Sequence, residues 1–295
     1  MKKTTLFKKL MLADEILVMP GCYDALSAKI VEMAGFKAVT MGGYSASAAT
    51  LAKPDVSLLT LTEYVHIVRN IAQAVDLPLF VDGDTGHGNV TNVQRTIREF
   101  ENAGAAGLFI EDQVFPKRCG HMDGKQIIPT MEMVAKLKAA VDARVDEDLV
   151  IMARTDAIAV CGIGEAIERA NIYKEAGADL IFVEAPTSME EMRRINDSIQ
   201  APTLAIQIEG GKTPLLTTKE LEALGYNIVV YPNAPVYATA WALRELWQTL
   251  KEEGTTKNFT NRMIHFDEFN KLIGLDKIRE RESYYYRDFF ASLGK

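Results

Sequence analysis

The chain has 295 residues, of which 48% are hydrophobic and 25% are charged, a composition typical of a globular protein with a buried core. A net charge of −7 without a basic stripe argues against nucleic-acid binding. No apolar run approaches the roughly 20 residues of a membrane span, and the N-terminus does not resemble a signal peptide. Three irregularly spaced cysteines fit neither a disulfide framework nor a zinc cluster, so we expect a reducing, cytoplasmic compartment.

Short apolar runs alternate with amphipathic segments along the chain, after a first helical pattern at residues 5–13. The apolar runs predict eight strands, at residues 16–21, 38–43, 78–84, 107–112, 149–156, 180–185, 203–209 and 228–232. Helical patterns lie at about 24–35, 60–74, 91–103, 130–145, 164–176, 188–199, 217–224 and 236–252.

Eight strand–helix units over about 250 residues predict an α/β fold, the (β/α)8 or TIM barrel. An open doubly wound sheet is the alternative, but no Gly-x-Gly-x-x-Gly motif follows the first strand to indicate dinucleotide binding. Further helical patterns at 266–275 and 278–290 predict a helical appendage over roughly 255–295, used for packing or oligomerisation. No linker is evident, so we expect residues 1–295 to form a single barrel domain.

Acidic residues stand at the carboxyl ends of successive predicted strands, where the active sites of barrels lie. Asp82 and Asp84 are two positions apart and would face the same side of a strand. Together with Glu111 at the neighbouring strand end, they favour a magnesium site over an ordinary turn with an aspartate cap. Other polar strand ends are Asp112, Asp156, Glu184, Glu209 and Asn233.

Arg154 lies in an otherwise apolar strand and therefore needs a partner. It could form a structural ion pair with Glu184 or Glu111, grip a substrate carboxylate, or do both. Residues 42–45, at the end of the second strand, could offer backbone amides to an oxyanion, although a tight turn explains a glycine pair equally well.

The connection at residues 113–130 is long for a loop of a barrel, which predicts a lid over the site. Within it, residues 117–121 place Cys119 between two cations and an imidazole. Such surroundings predict a lowered thiol pKa and a role as nucleophile or proton donor, whereas the alternative is a surface loop with a lone cysteine. Cys22 and Cys161 are interpreted as packing residues.

Taken together, these segments resemble the isocitrate lyase / phosphoenolpyruvate mutase superfamily over nearly the whole chain. The segments that carry the resemblance are residues 23–28, 42–45, 54–55, 82–88, 111–113, 116–121, 153–157, 183–185 and 209–214. The resemblance implies a barrel that exchanges its last helix with a neighbouring subunit, in a homotetramer built as a dimer of helix-swapped dimers. It also implies an anionic small-molecule substrate and Mg2+, with Mn2+ as a substitute.

The resemblance further implies roles for individual residues. The metal ligands would be Asp55, Asp82, Asp84 and Glu111, and the catalytic residues would be Cys119, Arg154, Tyr23, Lys117 and His121. The substrate would be bound by Gly42, Gly43, Tyr44, Asp82, Arg154, Glu184, Glu209 and Thr213. In the lyase branch, Arg154 would stabilise developing charge and Cys119 would protonate an enolate carbon. The base stays open between Tyr23, a metal-bound water and a carboxylate.

Within the superfamily, residues 209–214 resemble the group of 2,3-dimethylmalate lyase, petal death protein and carboxyphosphonoenolpyruvate phosphonomutase. Methylisocitrate lyases usually have Glu-Phe-Gly there and a tyrosine in place of Thr40. Gly42, Ile206 and Ala234 depart from the polar residues that bind a distal substrate carboxylate in the lyases. We therefore expect the chemistry to be kept and the substrate to differ.

Three functions follow from this resemblance. The first is a Mg2+-dependent carbon–carbon lyase that cleaves a 2-hydroxy dicarboxylate of the 2-alkylmalate, 2,3-dimethylmalate or methylisocitrate type to a 2-keto acid such as pyruvate and a carboxylic acid. The second is a phosphonomutase or phosphonopyruvate-type C–P bond enzyme. The third is a non-catalytic barrel that binds a carboxylate.

Overall fold

A computed structural model describes residues 1–292; the last three residues of the predicted appendage lie outside the described residues. Eight strands form one parallel sheet in the order β6-β5-β4-β3-β2-β1-β8-β7. They are β1 (Leu17–Cys22), β2 (Val39–Met41), β3 (Leu79–Asp82), β4 (Gly107–Glu111), β5 (Val150–Thr155), β6 (Leu180–Val183), β7 (Leu204–Ile206) and β8 (Ile228–Tyr231). An isolated parallel bridge between Ile181 and Thr203 joins the two ends, so the sheet closes almost completely. The predicted (β/α)8 barrel is confirmed.

Every strand is followed by at least one helix. The α-helices are α1 (Lys3–Met11), α2 (Ala25–Met33), α3 (Gly43–Leu51), α4 (Leu61–Ala74), α5 (Val90–Ala103), α6 (Thr130–Ala143), α7 (Ile158–Cys161), α8 (Ile163–Glu175), α9 (Met189–Ser198), α10 (Thr218–Ala223), α11 (Ala234–Glu253), α12 (Phe266–Leu272) and α13 (Leu275–Ser292). A 3-10 helix spans Lys257–Arg262. Polar caps begin several of these helices; Thr60, for example, accepts from the amide of Glu63.

Two of these helices, α3 and α7, were not predicted. The segment of α3 consists mainly of Gly, Ala, Ser and Thr, so it lacks the alternation of apolar and charged residues that reveals an amphipathic helix. The glycine pair is therefore the start of a helix rather than a free-standing turn: Gly42 is extended and is the N-cap residue.

Side chains alternate along the strands between two cores. One set, including Met19, Phe80 and Met152, fills the barrel interior, and Phe7 of α1 stacks on Phe80 at 5.4 Å between ring centroids. The other set packs beneath the surrounding helices. Because both faces of the sheet are buried, the strands are continuously apolar in sequence.

The chain divides into two compact units, Met1–Tyr237 and a second that begins at Ala238. The first contains the barrel. In the second, the guanidinium of Arg262 lies over the rings of Trp241 and Phe259, at 5.0 and 4.5 Å from their centroids. Within residues 1–292, no helix is both long and apolar enough to cross a membrane.

Candidate active site

A cavity with about 580 Å3 of empty space, part of it open to solvent, lies at the carboxyl ends of the barrel strands. Many of the residues predicted from the sequence line it, namely Gly42, Gly43, Tyr44, Asp55, Asp82, Cys119, His121, Arg154 and Glu184. Its other walls include Thr40, Phe80, Phe109, Met152, Phe182, Leu204, Ile206, Ile208, Val230, Pro232 and Asn233. The cavity is therefore polar at the strand ends and apolar toward the barrel interior and β7.

Arg154, from β5, is the central cation of the cavity. Its Nε lies 2.9 Å from Oδ2 of Asp156 and 3.2 Å from Oε2 of Glu111, and its Nη2 lies 3.0 Å from Oε2 of Glu184. Arg154 therefore pairs with both of the carboxylates that the sequence offered as partners, Glu184 and Glu111. Although burial opposes the charged form, these carboxylates raise the pKa of Arg154 well above its usual value, so the guanidinium stays charged.

Lys117 is the second buried cation of the site and is surrounded by carboxylates. Its Nζ lies 2.7 Å from Oδ2 of Asp55 and 2.9 Å from Oδ1 of Asp84. Asp82 is held differently, since its Oδ1 accepts from the amide of Asp84 and its Oδ2 from the amide of Gly43. Lys117 thus neutralises part of the charge that collects at the strand ends. Burial would lower its pKa, but the surrounding carboxylates raise it well above the usual value.

The carboxylates are of the kind that bind a hard cation. Both side-chain oxygens of Glu111 are buried and have no hydrogen-bond partner, although Oε2 is ion-paired with Arg154. Burial raises the pKa of this carboxyl well above its usual value. In the described part of the chain, no three His, Cys, Asp or Glu side chains are arranged as a direct metal cage. Magnesium commonly takes one or two carboxylates and keeps several waters, and the residues present fit that mode of binding.

The thiol of Cys119 differs from its prediction. Burial raises its pKa to about 11, so the expectation of a lowered pKa was wrong. The neighbouring cations are bound elsewhere: Lys117 lies between its two aspartates, and Nη1 of Arg118 donates to the carbonyl of Asp123. Cys119 is consequently a protonated thiol at neutral pH, which is the form that can donate a proton.

His121 connects the loop to two other elements. Its Nδ1 accepts from the amide of Lys212 at 2.9 Å, which leaves the proton of a neutral ring on Nε2, 3.2 Å from Oε1 of Glu184. Glu184 is fully buried; although burial opposes ionisation, Arg154 and His121 lower its pKa. The ring therefore lies beside a carboxylate that also contacts the central arginine.

Six predicted site residues are absent from the cavity lining formed by residues 1–292. Lys117 and Glu111 contact the lining residues Asp55 and Arg154, and Asp84 contacts Lys117. The other three lie apart from the cavity. Tyr23 is half-buried after β1, with its amide donating to Oγ of Ser27. Glu209 is exposed, whereas Thr213 is buried with no partner for its hydroxyl. The oxyanion interpretation of residues 42–45 is also altered, because Asp82 occupies the Gly43 amide.

Sequence reasoning missed two participants. Lys125 is buried and donates to Asp156 at 3.0 Å, yet nothing in its local pattern distinguishes it from a surface lysine of the loop. Tyr237, near Tyr44 with ring centroids 5.9 Å apart, belongs to the long helical pattern after β8. The acidic strand ends could have suggested a further buried cation, since Arg154 alone does not neutralise them.

Comparison with known proteins places this site in a family. Residues 7–251 match the family model of phosphoenolpyruvate phosphomutase. The chain belongs to this family. It is 52% identical over 278 residues to 2,3-dimethylmalate lyase of Eubacterium barkeri, covering 94% of this chain and 96% of that protein. It is 46% identical over 285 residues to the chloroplastic carboxyvinyl-carboxyphosphonate phosphorylmutase of Arabidopsis thaliana, covering 95% and 84%.

Solved structures of the phosphoenolpyruvate phosphomutase family agree with the barrel. The crystal structure of 2,3-dimethylmalate lyase, a PEP mutase/isocitrate lyase superfamily member, superposes with a TM-score of 0.91 at 32% identity, over 97% of this chain and 96% of that one. Phosphonopyruvate hydrolase in complex with oxalate and Mg2+ superposes with a TM-score of 0.89 at 30% identity, over 97% and 99%. The predicted family is confirmed, and the chain is an enzyme of the lyase type within it.

Proposed function

We propose that the chain is a Mg2+-dependent carbon–carbon lyase acting on a 2-hydroxy dicarboxylate of the 2-alkylmalate type. The products would be a 2-keto acid such as pyruvate and a carboxylic acid. The proposal is supported by the 52% identity to a 2,3-dimethylmalate lyase and by the chemistry of the cavity.

The observation that carries the proposal is the protonated thiol of Cys119 in the same cavity as the buried Arg154. Cleavage of the bond between C2 and C3 leaves an electron pair on C3, next to a carboxylate. That carbon must receive a proton, and Cys119 is a lining residue whose thiol is protonated at neutral pH. A binding protein without turnover has no need of such a donor.

Each group would act at a different part of the substrate. Arg154 would bind and stabilise an anionic oxygen, and its own position is fixed by Asp156 and Glu184. Asp55, Asp82, Asp84 and Glu111 would hold Mg2+ directly or through its waters. When bound, Mg2+ supplies Lewis-acid polarisation of the carboxylate and hydroxyl oxygens of a 2-hydroxy acid.

The proton that C3 needs after cleavage would come from Cys119, a residue of the lid loop. The lid loop is defined here as residues 113–129. The 2-hydroxyl proton leaves to a base as the C2–C3 bond breaks, giving the 2-keto acid and the enolate of a carboxylate. Cys119 then protonates C3, and its thiolate regains a proton from solvent or from that base. The loop covers the polar end of the cavity with Cys119, Gly120 and His121, which limits the access of water.

The apolar wall beyond Arg154 supports an alkyl-substituted substrate. Ile206 and Ile208 alternate with Gln207 along the end of β7 and both line the cavity. Gln207 points away, where its Oε1 accepts from the amide of Leu216 and its Nε2 donates to the carbonyls of Ile206 and Pro214. No amide therefore faces the substrate at this position, and burial of methyl groups against the isoleucines is favourable.

A C–P bond enzyme is the second candidate. The 46% identity to a carboxyvinyl-carboxyphosphonate phosphorylmutase and the structural match to phosphonopyruvate hydrolase favour it. The same arginine and carboxylates could bind a phosphonate and a cation.

A substrate panel with Mg2+ separates these candidates. Pyruvate release would be measured with 2,3-dimethylmalate, 2-methylisocitrate, citramalate and phosphonopyruvate, oxalate release with oxaloacetate, and phosphoenolpyruvate formation with phosphonopyruvate, each with and without chelator. Chelator-sensitive release from an alkylmalate supports the lyase, whereas turnover of phosphonopyruvate alone moves the protein to C–P chemistry.

The role of Cys119 is tested by substitution. Cys119→Ser should lose about 10²–10⁴-fold in rate, as expected for a missing proton donor. Full cleavage by Cys119→Ser beside an inactive Asp82→Ala would exclude the role of Cys119; Cys161→Ser, at an exposed thiol, is the control.

We also propose that the second unit mediates assembly into a homotetramer. Large apolar side chains are exposed on its helices, including Trp247, Phe266 and Tyr285. Exposed aromatic clusters of this kind are typical of protein interfaces. Light scattering of the purified chain would give the oligomeric state, and a monomer at micromolar concentration would contradict the proposal.

A further inference from the structure

Lys125 is a buried lysine of the lid loop with no role in the chemistry described above. Its side chain is 1% exposed. The ammonium donates to Oδ1 of Asp156 at 3.0 Å and to the carbonyl oxygen of Gly120. Burying a lysine costs several kcal/mol unless it is paired, so this residue is held in place by those two acceptors.

The carboxylate of Asp156 is shared between Lys125 and Arg154. Its Oδ1 accepts from Nη2 of Arg154 at 3.1 Å and from Lys125 at 3.0 Å, while its Oδ2 accepts from Nε of Arg154 at 2.9 Å. The two cations lower the pKa of this carboxyl to about 2, against the effect of burial, so it is ionised at neutral pH. One anion from the barrel therefore binds the lid loop and the substrate-facing arginine together.

The loop backbone is closely packed where Lys125 holds it. A Cβ added at Gly120 would lie 2.3 Å from Cδ of Glu184 and 2.5 Å from Nη2 of Arg154. The carbonyl of this glycine is one of the two acceptors of Lys125, and the preceding residue is Cys119. Fixing the Gly120 carbonyl consequently fixes the position of the thiol over the cavity.

We propose that Lys125 is a positioning residue that latches the lid loop closed by joining the Gly120 carbonyl to Asp156. Closure through this latch sets the thiol of Cys119 and the guanidinium of Arg154 at the same time, because both depend on one carboxylate. The activity part of this inference rests on the proposed function, whereas the latch itself does not.

The latch is tested by the rate at which iodoacetamide alkylates Cys119, followed by mass spectrometry in the presence of Mg2+ and without substrate. A Cys161→Ser background removes the exposed thiol, and Cys22 is fully buried. Lys125→Met should accelerate alkylation at least about tenfold, since one charge-assisted hydrogen bond is worth that factor or more. Lys138→Met, at an exposed lysine of α6, is the matched control and should alkylate at the parent rate.

Further variants separate a latch from a contribution to folding. Lys125→Arg keeps the charge and enough donors for both acceptors, so it should restore slow alkylation. Lys125→Gln keeps only a neutral donor, so its alkylation rate should lie between those of the parent and Lys125→Met. If Lys125→Met does not fold, Lys125→Gln is used for the test. A lower melting temperature with unchanged alkylation below the transition would overturn the latch. Rapid alkylation in Lys125→Met together with no turnover of any panel substrate by the parent would keep the latch and reject the lyase.

Discussion

Arg154 and Glu184, at the ends of adjacent strands, form an ion pair with 3.0 Å between Nη2 and Oε2. Gly120 of the lid loop packs directly against both side chains. The barrel brings them together because β5 and β6 are parallel neighbours with Arg154 in register with Phe182. Phe109 and Phe182 flank the guanidinium, with their ring centroids 5.8 and 5.5 Å from its Cζ. The charge of Arg154 is thus positioned by the fold itself.

Replacing Arg154 with lysine should lower kcat/KM by about 10²–10³-fold, the usual loss for one preorganised donor to developing charge. A lysine keeps the charge but cannot contact Asp156, Glu111 and Glu184 simultaneously through a planar fork. Steady-state kinetics on the alkylmalate identified by the panel would measure this. Arg95→Lys, on the exposed surface of α5, should keep parent kinetics. A parent-like Arg154→Lys enzyme would show that only the charge matters.

The thiol of Cys119 should remain protonated well into the alkaline range. Its pKa of about 11 lies above the value of about 8.5 for a free cysteine, because the side chain is buried. Below pH 11 the thiolate fraction rises about tenfold per pH unit, so the alkylation rate should still be climbing between pH 9 and 10. The measurement uses the Cys161→Ser background at constant iodoacetamide, with a small model thiol as control. A plateau near pH 8.5 would show that the thiol is not shielded.

The barrel was predictable from sequence because both faces of its sheet are buried, which leaves eight continuous apolar runs separated by amphipathic helices. Helix α3 was not predictable, because its small residues do not alternate between apolar and polar with a helical period. Asp82, Arg154 and Glu184, predicted from their positions at strand ends, all line the cavity, and Glu111 contacts Arg154 beside it. The order of the parallel strands is enough to bring these residues together.

Side-chain direction was the part that sequence did not contain. The pKa of Cys119 was predicted with the wrong sign because Lys117 turns toward Asp55, a residue 62 positions away. The buried state of Lys125 likewise depends on Asp156, 31 positions later. Such contacts are decided by tertiary packing, so a charge that is adjacent in sequence can be irrelevant to its neighbour.

Alanine at Gly211 should disturb the contact between the lid loop and the loop after β7. The new Cβ would lie 2.7 Å from Nδ1 of His121, the atom that accepts from the amide of Lys212. Losing that hydrogen bond should lower kcat/KM about tenfold, equivalent to roughly 1.4 kcal/mol. Gly164→Ala is the matched control, because a Cβ there meets open space. Equal kinetics for the two variants would show that the lid loop does not need this contact.

His87 should make the protein less stable as the pH falls from 7 to 5. Its Nε2 is buried without a partner, and burial lowers its pKa to about 4, whereas an unfolded histidine titrates near 6.5. Between these values the unfolded chain binds the proton preferentially, so the free energy of unfolding should decrease by about 2 kcal/mol across that interval. His87→Asn should lose this component, since asparagine tolerates the left-handed backbone at φ 57° and does not titrate. Urea unfolding at both pH values gives the comparison, with His66→Asn on the exposed face of α4 as a control that keeps the parent's dependence. If His87→Asn and the parent lose the same amount of stability, the acid sensitivity arises elsewhere and His87 is accommodated in its charged form.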